Sequence, residues 1–276
     1  MRIAIWNIRG FGAHNKKSMI KCLIKEDYLD LVGLVETKHA ELSQWDIGKC
    51  WGHQGSQHMH ITAVEGSSGI IVSWHQDSFT LINCIANQRW ICVIGEFTRS
   101  QFKCAICVMY APNGQSERLQ VWNQIQSLHS VIEEPMVLMG DFNEVLSLHE
   151  RRGATELSQG MRDFQDLVLD LQLIDMEIGQ SFTWMWQNAA SRIDQIMVQE
   201  ELLRKFPDTK AFCKGRSFSD HYPIILVTTQ IQWGPTPFRS LDVWLNEPSF
   251  LRIGVGNGRV GSGYGRPVNK TDRVGS

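Results

Sequence analysis

MVLMGDFNEV, residues 136–145, carries an apolar run, Met136–Met139, straight into Gly140-Asp141-Phe142-Asn143. The run reads as a strand, and the Asp and Asn follow where the chain leaves it. In layered α/β folds such strand ends converge on one rim, and sites form there. One instance is weak, because an Asp or Asn after a strand is more often a turn former than a catalyst. The same arrangement recurs along the chain. Asn7 follows Ile3–Trp6, and Glu36 follows the apolar run Leu31–Val35. Tyr110 closes a strand, with Asn113 just beyond Ala111-Pro112. Asp194 lies in Ser-Arg-Ile-Asp, and Ser219, Asp220 and His221 stand just ahead of the last strand-like run.

Further strands are predicted at Arg2–Ile8, Gly69–Trp74, Thr80–Ile85, Trp90–Phe97, Lys103–Tyr110, Phe182–Trp186, Arg192–Val198 and Pro223–Thr228. Helical segments are predicted at Ser18–Tyr28, Ser116–Ile132, Met161–Leu173 and Glu200–Phe206. The second is the clearest, with a Ser cap and apolar Leu119, Val121, Trp122, Ile125 and Leu128. Strands pair with helices, then meander, then repeat the mixture. A four-layer α/β (α+β) sandwich, two packed mixed sheets flanked by helices, fits this order. Periodicity alone leaves other α/β and α+β arrangements open.

With 276 residues, 43% hydrophobic and 20% charged, the chain can bury a core without staples. Its net charge of −2 is uneven. Residues 251–276 hold five Lys or Arg against one acid, so the rest is acidic. An acidic body does not favour nucleic acid by itself; a local patch or a bound cation must help. Seven scattered cysteines argue against a secreted disulfide framework. Cys104 and Cys107 resemble half a zinc site but sit in an apolar strand, and read as buried thiols. His53, His58 and His60 read as loop residues with no site. MRIAIWNIRG is no signal peptide, and no run approaches a membrane span. A soluble, intracellular protein is expected.

WN (6–7), ET (36–37), YAPN (110–113), GDFN (140–143), SRID (191–194) and SDH (219–221) resemble, in order, the motif series of the endonuclease/exonuclease/phosphatase superfamily. WNIRG, SFTW before SRID, and WGPTPFRSLDVWL (233–245) resemble plant LINE-type non-LTR retrotransposon reading frames. In those, the last segment bridges an endonuclease to a reverse transcriptase, which is absent from this chain. The resemblance implies a DNase I-like sandwich over residues 1–230 and a connector over 231–250; residues 251–276, rich in Gly and Arg with few bulky apolar side chains, read from composition as a disordered tail. The resemblance also implies an endonuclease that nicks DNA with Mg²⁺ or Mn²⁺, in the nucleus. The rivals are an inert retrotransposon remnant, a same-fold phosphatase, and an apurinic-site nuclease.

Phosphodiester hydrolysis needs an activated water, a stabilised phosphorane charge and a neutralised leaving oxygen. Glu36, Asn7 and Asp220 are the expected metal ligands, since oxygen donors favour Mg²⁺ or Mn²⁺ over zinc. As the resemblance implies, Asp141 activates the water, Asn143 orients it, and His221, paired with Asp194, contacts a phosphoryl oxygen. Tyr110 and Asn113 hydrogen-bond the phosphate or assist the leaving oxygen. Ser219 belongs to the substrate-binding set. Arg9 stands where the family more often has Asp or Asn; it can contact phosphate and takes one group away from a two-metal arrangement. Trp184, with Trp186, either wedges against bases or packs a core. Arg151 and Arg152 contact the DNA backbone or lie in a solvated loop.

Overall fold

The computed structural model describes residues 1–228 except 13, 39–43, 52–54, 64–68, 180–181 and 216–218. The chain divides into units Met1–Ile231 and Gln232–Ser276. The connector and tail expected beyond residue 230 lie outside the described residues.

In chain order the elements are β1 (Arg2–Asn7), α1 (His14–Glu26), β2 (Leu31–Val35), α2 (Gln44–Trp51), β3 (Ser56–Ile61), β4 (Ile70–His75), β5 (Phe79–Ala86), β6 (Trp90–Phe97) and β7 (Phe102–Tyr110). There follow α3 (Gln115–His129), β8 (Met136–Asp141), α4 (Gln159–Asp170), β9 (Leu173–Asp175), β10 (Trp184–Trp186), β11 (Ala189–Ser191), β12 (Asp194–Gln199), α5 (Glu200–Lys205), β13 (Lys210–Cys213) and β14 (Ile224–Val227). They form two six-stranded sheets, ordered β13-β14-β1-β2-β4-β3 and β5-β6-β7-β8-β12-β9, plus the hairpin β10–β11. Among the described residues only β1–β2 and β7–β8 pair in parallel, so both sheets are mixed.

Strand alternation builds the layers. Ile3 and Ile5 of β1 pack in one cluster with Ile106 and Val108 of β7, so the two sheets face each other. Ala4 and Trp6 point the other way, to Ile20, Leu23 and Ile24 of α1. Cys107 and Met109 pack against Trp122 and Ile125 of α3 and Phe164 of α4. Helix, sheet, sheet, helix is the four-layer sandwich expected. Cys104 and Cys107 are free and buried.

Several boundaries differ from the sequence reading. Helix α3 has Gly114 at its N-cap with no side-chain cap bond, so Ser116 lies inside the first turn. Leu119 is exposed; Arg118, Val121, Trp122, Ile125 and Leu128 make the buried stripe. Helix α4 starts earlier, its Ser158 side chain accepting from Met161 N. It also stops earlier: Gln172 turns to φ 51° and Leu173 begins β9. The predicted strand Phe182–Trp186 shrinks to β10, one arm of the hairpin, and Arg192 stays outside β12. His58 and His60 sit on β3 rather than in a loop; His53 is outside the described residues.

Candidate active site

Parallel pairing sets the rim. Asn7 ends β1 opposite Val35 of β2, so Glu36 emerges beside it. Tyr110 ends β7 opposite Asp141 of β8. Asp194 and His221 precede or open their strands, yet reach the same rim. The reason is direction: β12 runs antiparallel to β8, with Asp194 opposite Asp141, and β14 runs antiparallel to β1. Gly140 lets β8 pass tightly beside β7, since a Cβ there would lie 2.0 Å from the Met109 carbonyl oxygen.

A buried line of polar groups crosses this rim. Asn7 Nδ2 donates to Asp141 Oδ2 at 2.8 Å. His221 Nε2 faces that carboxylate at 3.9 Å, and its Nδ1 bonds Asp194 Oδ2 at 2.8 Å. Asp194 is held in turn by its own N–H, which donates to Thr183 Oγ1. Asn143 donates from its backbone to Asp141 Oδ1 and from Nδ2 to Ala111 O. Ser219 Oγ donates to Asn7 O and accepts from His221 N. Trp6 Nε1 donates to His221 O.

A second group lies beside it. Tyr110 OH donates to Glu36 Oε1 at 2.9 Å, and Lys38 Nζ lies 3.1 Å from Glu36 Oε2. Arg9 Nε sits 2.7 Å from Asp220 Oδ1, while Trp184 Nε1 donates to Asp220 Oδ2 at 2.8 Å. Lys16 Nζ donates to the carbonyls of Ile8 and Arg9. Arg9, Glu36, Lys38 and Asn143 all have φ between 44° and 53°. Non-glycine residues hold that conformation only where surroundings impose it, and such strain gathers at functional sites. Asn113 is exposed, its carbonyl gripped by Arg118. Trp186 is 56% exposed at the hairpin.

The electrostatics separate the groups. Burial, then the neighbouring Asp194 charge, raises Asp141 to about 7 despite His221 and the Asn7 donor. Burial pulls His221 down, but Asp194 outweighs it, with Asp141 and Asp220 adding to the rise, to about 9. Burial pushes Glu36 up, yet the Tyr110 hydroxyl and Lys38 hold it below its ordinary value. At neutral pH the rim thus offers an imidazolium proton on Nε2, a carboxylate near its midpoint, and an ionised Glu36.

Asp194 Oδ1 and His221 Nε2 are buried without a hydrogen-bond partner, while Glu36 Oε2 and Asp220 Oδ1, also buried, are met by the side-chain cations of Lys38 and Arg9. A buried carboxylate oxygen needs a cation, and at Glu36 the half-exposed Lys38 fills that place. Glu36 Oε2, on the oxygen-rich side of the rim, fits a hard divalent ion. Asp141, Asp194 and His221 also bring ligand atoms within 4.8 Å of one another. There the imidazole Nδ1 is already engaged, so proton sharing describes that group better than metal binding.

Sequence reasoning missed the groups that hold this rim. Glu144, next to Asn143, is buried between Arg118 at 2.7 Å and Arg151 at 3.1 Å. Arg192 is buried against Glu150 and Asp175. Arg152 donates to Asn188 O and covers the Phe182 ring. Arg151 is thus tied to Glu144 while partly exposed, and Arg152 is exposed but tethered at Asn188. Charged residues predicted to be buried are the usual signal for such roles, but burial is invisible in a single sequence.

Two mixed six-stranded sheets between helices, with this rim of carboxylate, amide and imidazole, define the DNase I-like class. The chain belongs to the Endonuclease/Exonuclease/phosphatase family, which it matches over residues 4–221. That family comprises hydrolases of phosphodiesters or phosphate esters, generally dependent on a divalent metal. Solved structures share the fold at low identity. An AP endonuclease from Archaeoglobus fulgidus is 13% identical, with TM-score 0.63 over 83% of this chain and 99% of its own. The endonuclease domain of TRAS1, a telomere-specific non-LTR retrotransposon, is 12% identical, with TM-score 0.64 over 84% and 99%. A mannosyl-6-phosphatase from Bacteroides thetaiotaomicron is 15% identical, with TM-score 0.54 over 83% and 99%. No curated protein sequence matches the chain. No helix among the described residues is long and apolar enough to cross a membrane.

Proposed function

We propose that the chain is a Mg²⁺- or Mn²⁺-dependent endonuclease that nicks one strand of DNA in the nucleus, as the front part of a LINE-type retroelement. One observation carries the chemistry: Asp141 and the His221–Asp194 pair share a buried rim with Glu36, whose Oε2 faces the half-exposed Lys38 ammonium. The likeness to the TRAS1 domain and the WGPTPFRSLDVWL segment support the LINE assignment. A reverse transcriptase is the partner domain this assignment expects in a longer homologue.

Glu36, with Asn7 beside it, holds the cation, which supplies charge stabilisation at the phosphate. Asp141, poised near neutrality, takes the proton of the attacking water, and Asn143 fixes the loop that aims it. His221, kept charged by Asp194, donates its Nε2 proton to a phosphoryl oxygen. Tyr110 orients Glu36 from within. Asn113 and Trp184 line the substrate side, and the Trp184 indole is fixed on Asp220. Residues 1–230 form the enzyme, 231–250 the connector and 251–276 the tail.

The cations Arg9, Lys16 and Lys38 around Glu36 also suit a phosphate monoester, which keeps a phosphatase in view. Purified protein with Mg²⁺ should convert supercoiled plasmid to nicked circles while leaving p-nitrophenyl phosphate intact. Phosphate release without nicking selects the phosphatase; neither activity selects the inert remnant.

A further inference from the structure

We infer that Arg9 is a positioning residue that neutralises Asp220 and keeps it out of the metal shell, limiting the site to one divalent cation on Glu36. This rests on the metal-dependent reading above.

Both Asp220 oxygens are committed. Oδ1 lies 2.7 Å from Arg9 Nε, and Oδ2 accepts from Trp184 Nε1 at 2.8 Å. Oδ1 has no aligned donor, so its contact with Arg9 is chiefly charge on charge. A guanidinium cannot lose its proton in a protein, so this neutralisation holds at every working pH. The Asp220 side chain is only 8% exposed, and a buried carboxylate without a cation is costly.

The main chain of Arg9 is fixed, although its side chain is 42% exposed. Its N–H donates to Asn7 Oδ1, its carbonyl accepts from Lys16 Nζ, and its φ of 44° fixes the turn. Gly10 N, the next residue, donates to Glu36 O, which ties this turn to the metal-bearing loop. Glu36 differs from Asp220 in its cation: the Lys38 ammonium, a point charge on a flexible stem, lies 3.1 Å from Oε2, whereas the planar Arg9 guanidinium lies closer, 2.7 Å from Asp220 Oδ1. Each carboxylate thus has a cation from the chain, and the looser one, Lys38 on Glu36, is the one a divalent ion replaces.

Counting bound Mn²⁺ by electron paramagnetic resonance of the free ion tests this without any turnover. The wild-type chain should bind one Mn²⁺ and Arg9→Lys one. Arg9→Ala should bind a second, with Kd weaker by about tenfold or more, and Arg9→Ala/Asp220→Asn should return to one. Thermal melting checks that each variant is folded, and Arg9→Lys guards against a general loss of structure. Two Mn²⁺ on the wild type, or one on a folded Arg9→Ala, overturns the inference and leaves the nuclease reading standing. No Mn²⁺ on any chain overturns both. Plasmid nicking, measured separately, reports on the nuclease reading alone.

Discussion

His221 shows how one residue's surroundings set its chemistry. Its folded pKa of about 9 exceeds the usual 6.5, because the Asp194 charge outweighs burial. A raised folded pKa stabilises the fold fully below about 6.5, and that share is lost as pH rises through 9. The pair should contribute on the order of 3 kcal/mol at pH 6. Asp141, also raised, acts in the same direction, but between its ordinary value and about 7. Between pH 7.5 and 9.5 the melting midpoint should therefore fall more steeply in the wild type than in Asp194→Asn, the difference being the histidine's share, since the N-terminus and the buried thiols act in both. Tyr110 acts on another residue, Glu36, through a 2.9 Å hydrogen bond. Removing that donor in Tyr110→Phe should raise the Mg²⁺ concentration for half-maximal nicking by about tenfold, with little change at saturation. An unchanged Mg²⁺ requirement would remove Tyr110 from the metal side.

Between elements, Arg118 and Glu144 form a joint. Arg118 leaves α3 to grip the carbonyls of Pro112 and Asn113, and meets Glu144 beside Asn143. Glu144 also meets Arg151, which bridges to Ser191 of β11. Three motif loops thus hang on one buried carboxylate. Removing one partner of a buried pair costs about 3 kcal/mol or more, so Arg118→Met should lower stability by that order in urea unfolding. A change under about 1 kcal/mol would make the joint incidental. Gly160 lies against it, where a Cβ would fall 2.2 Å from Glu144 Oε2. Gly160→Ala should therefore destabilise by about 1–3 kcal/mol and slow nicking, whereas exposed helix positions gain from alanine. The long apolar strands and α3 were legible because their periodicity is strong. The short strands β9, β11 and β13 carry too few residues for a pattern, and β3, with its two histidines, is a polar edge. The Gly114 cap has no signal of its own beside Ser116, the commoner capping residue type.

Across the molecule, two sheets with parallel centres turn six separated motifs into one rim. Their order along the chain was readable, and the four-layer sandwich followed from resemblance more than from periodicity. The rim's inner connections were not readable. No spacing shows that Asn7 will donate to Asp141, or that Arg9 will face Asp220, because those meetings depend on strand register. If residues 1–230 are the whole enzyme, a chain ending at 230 should unfold in one cooperative transition and nick plasmid like the 276-residue chain. Loss of folding or activity would assign a structural role to the rest. The central claim is that one buried rim, charged with a hard cation, cuts phosphodiesters. Its most direct test is the initial rate of plasmid nicking against Mg²⁺ for the wild type and Asp141→Asn. The rate should be zero in chelator, saturate with Mg²⁺, and fall at least about 100-fold in the variant. Equal rates in both proteins, or nicking that persists in chelator, would contradict it.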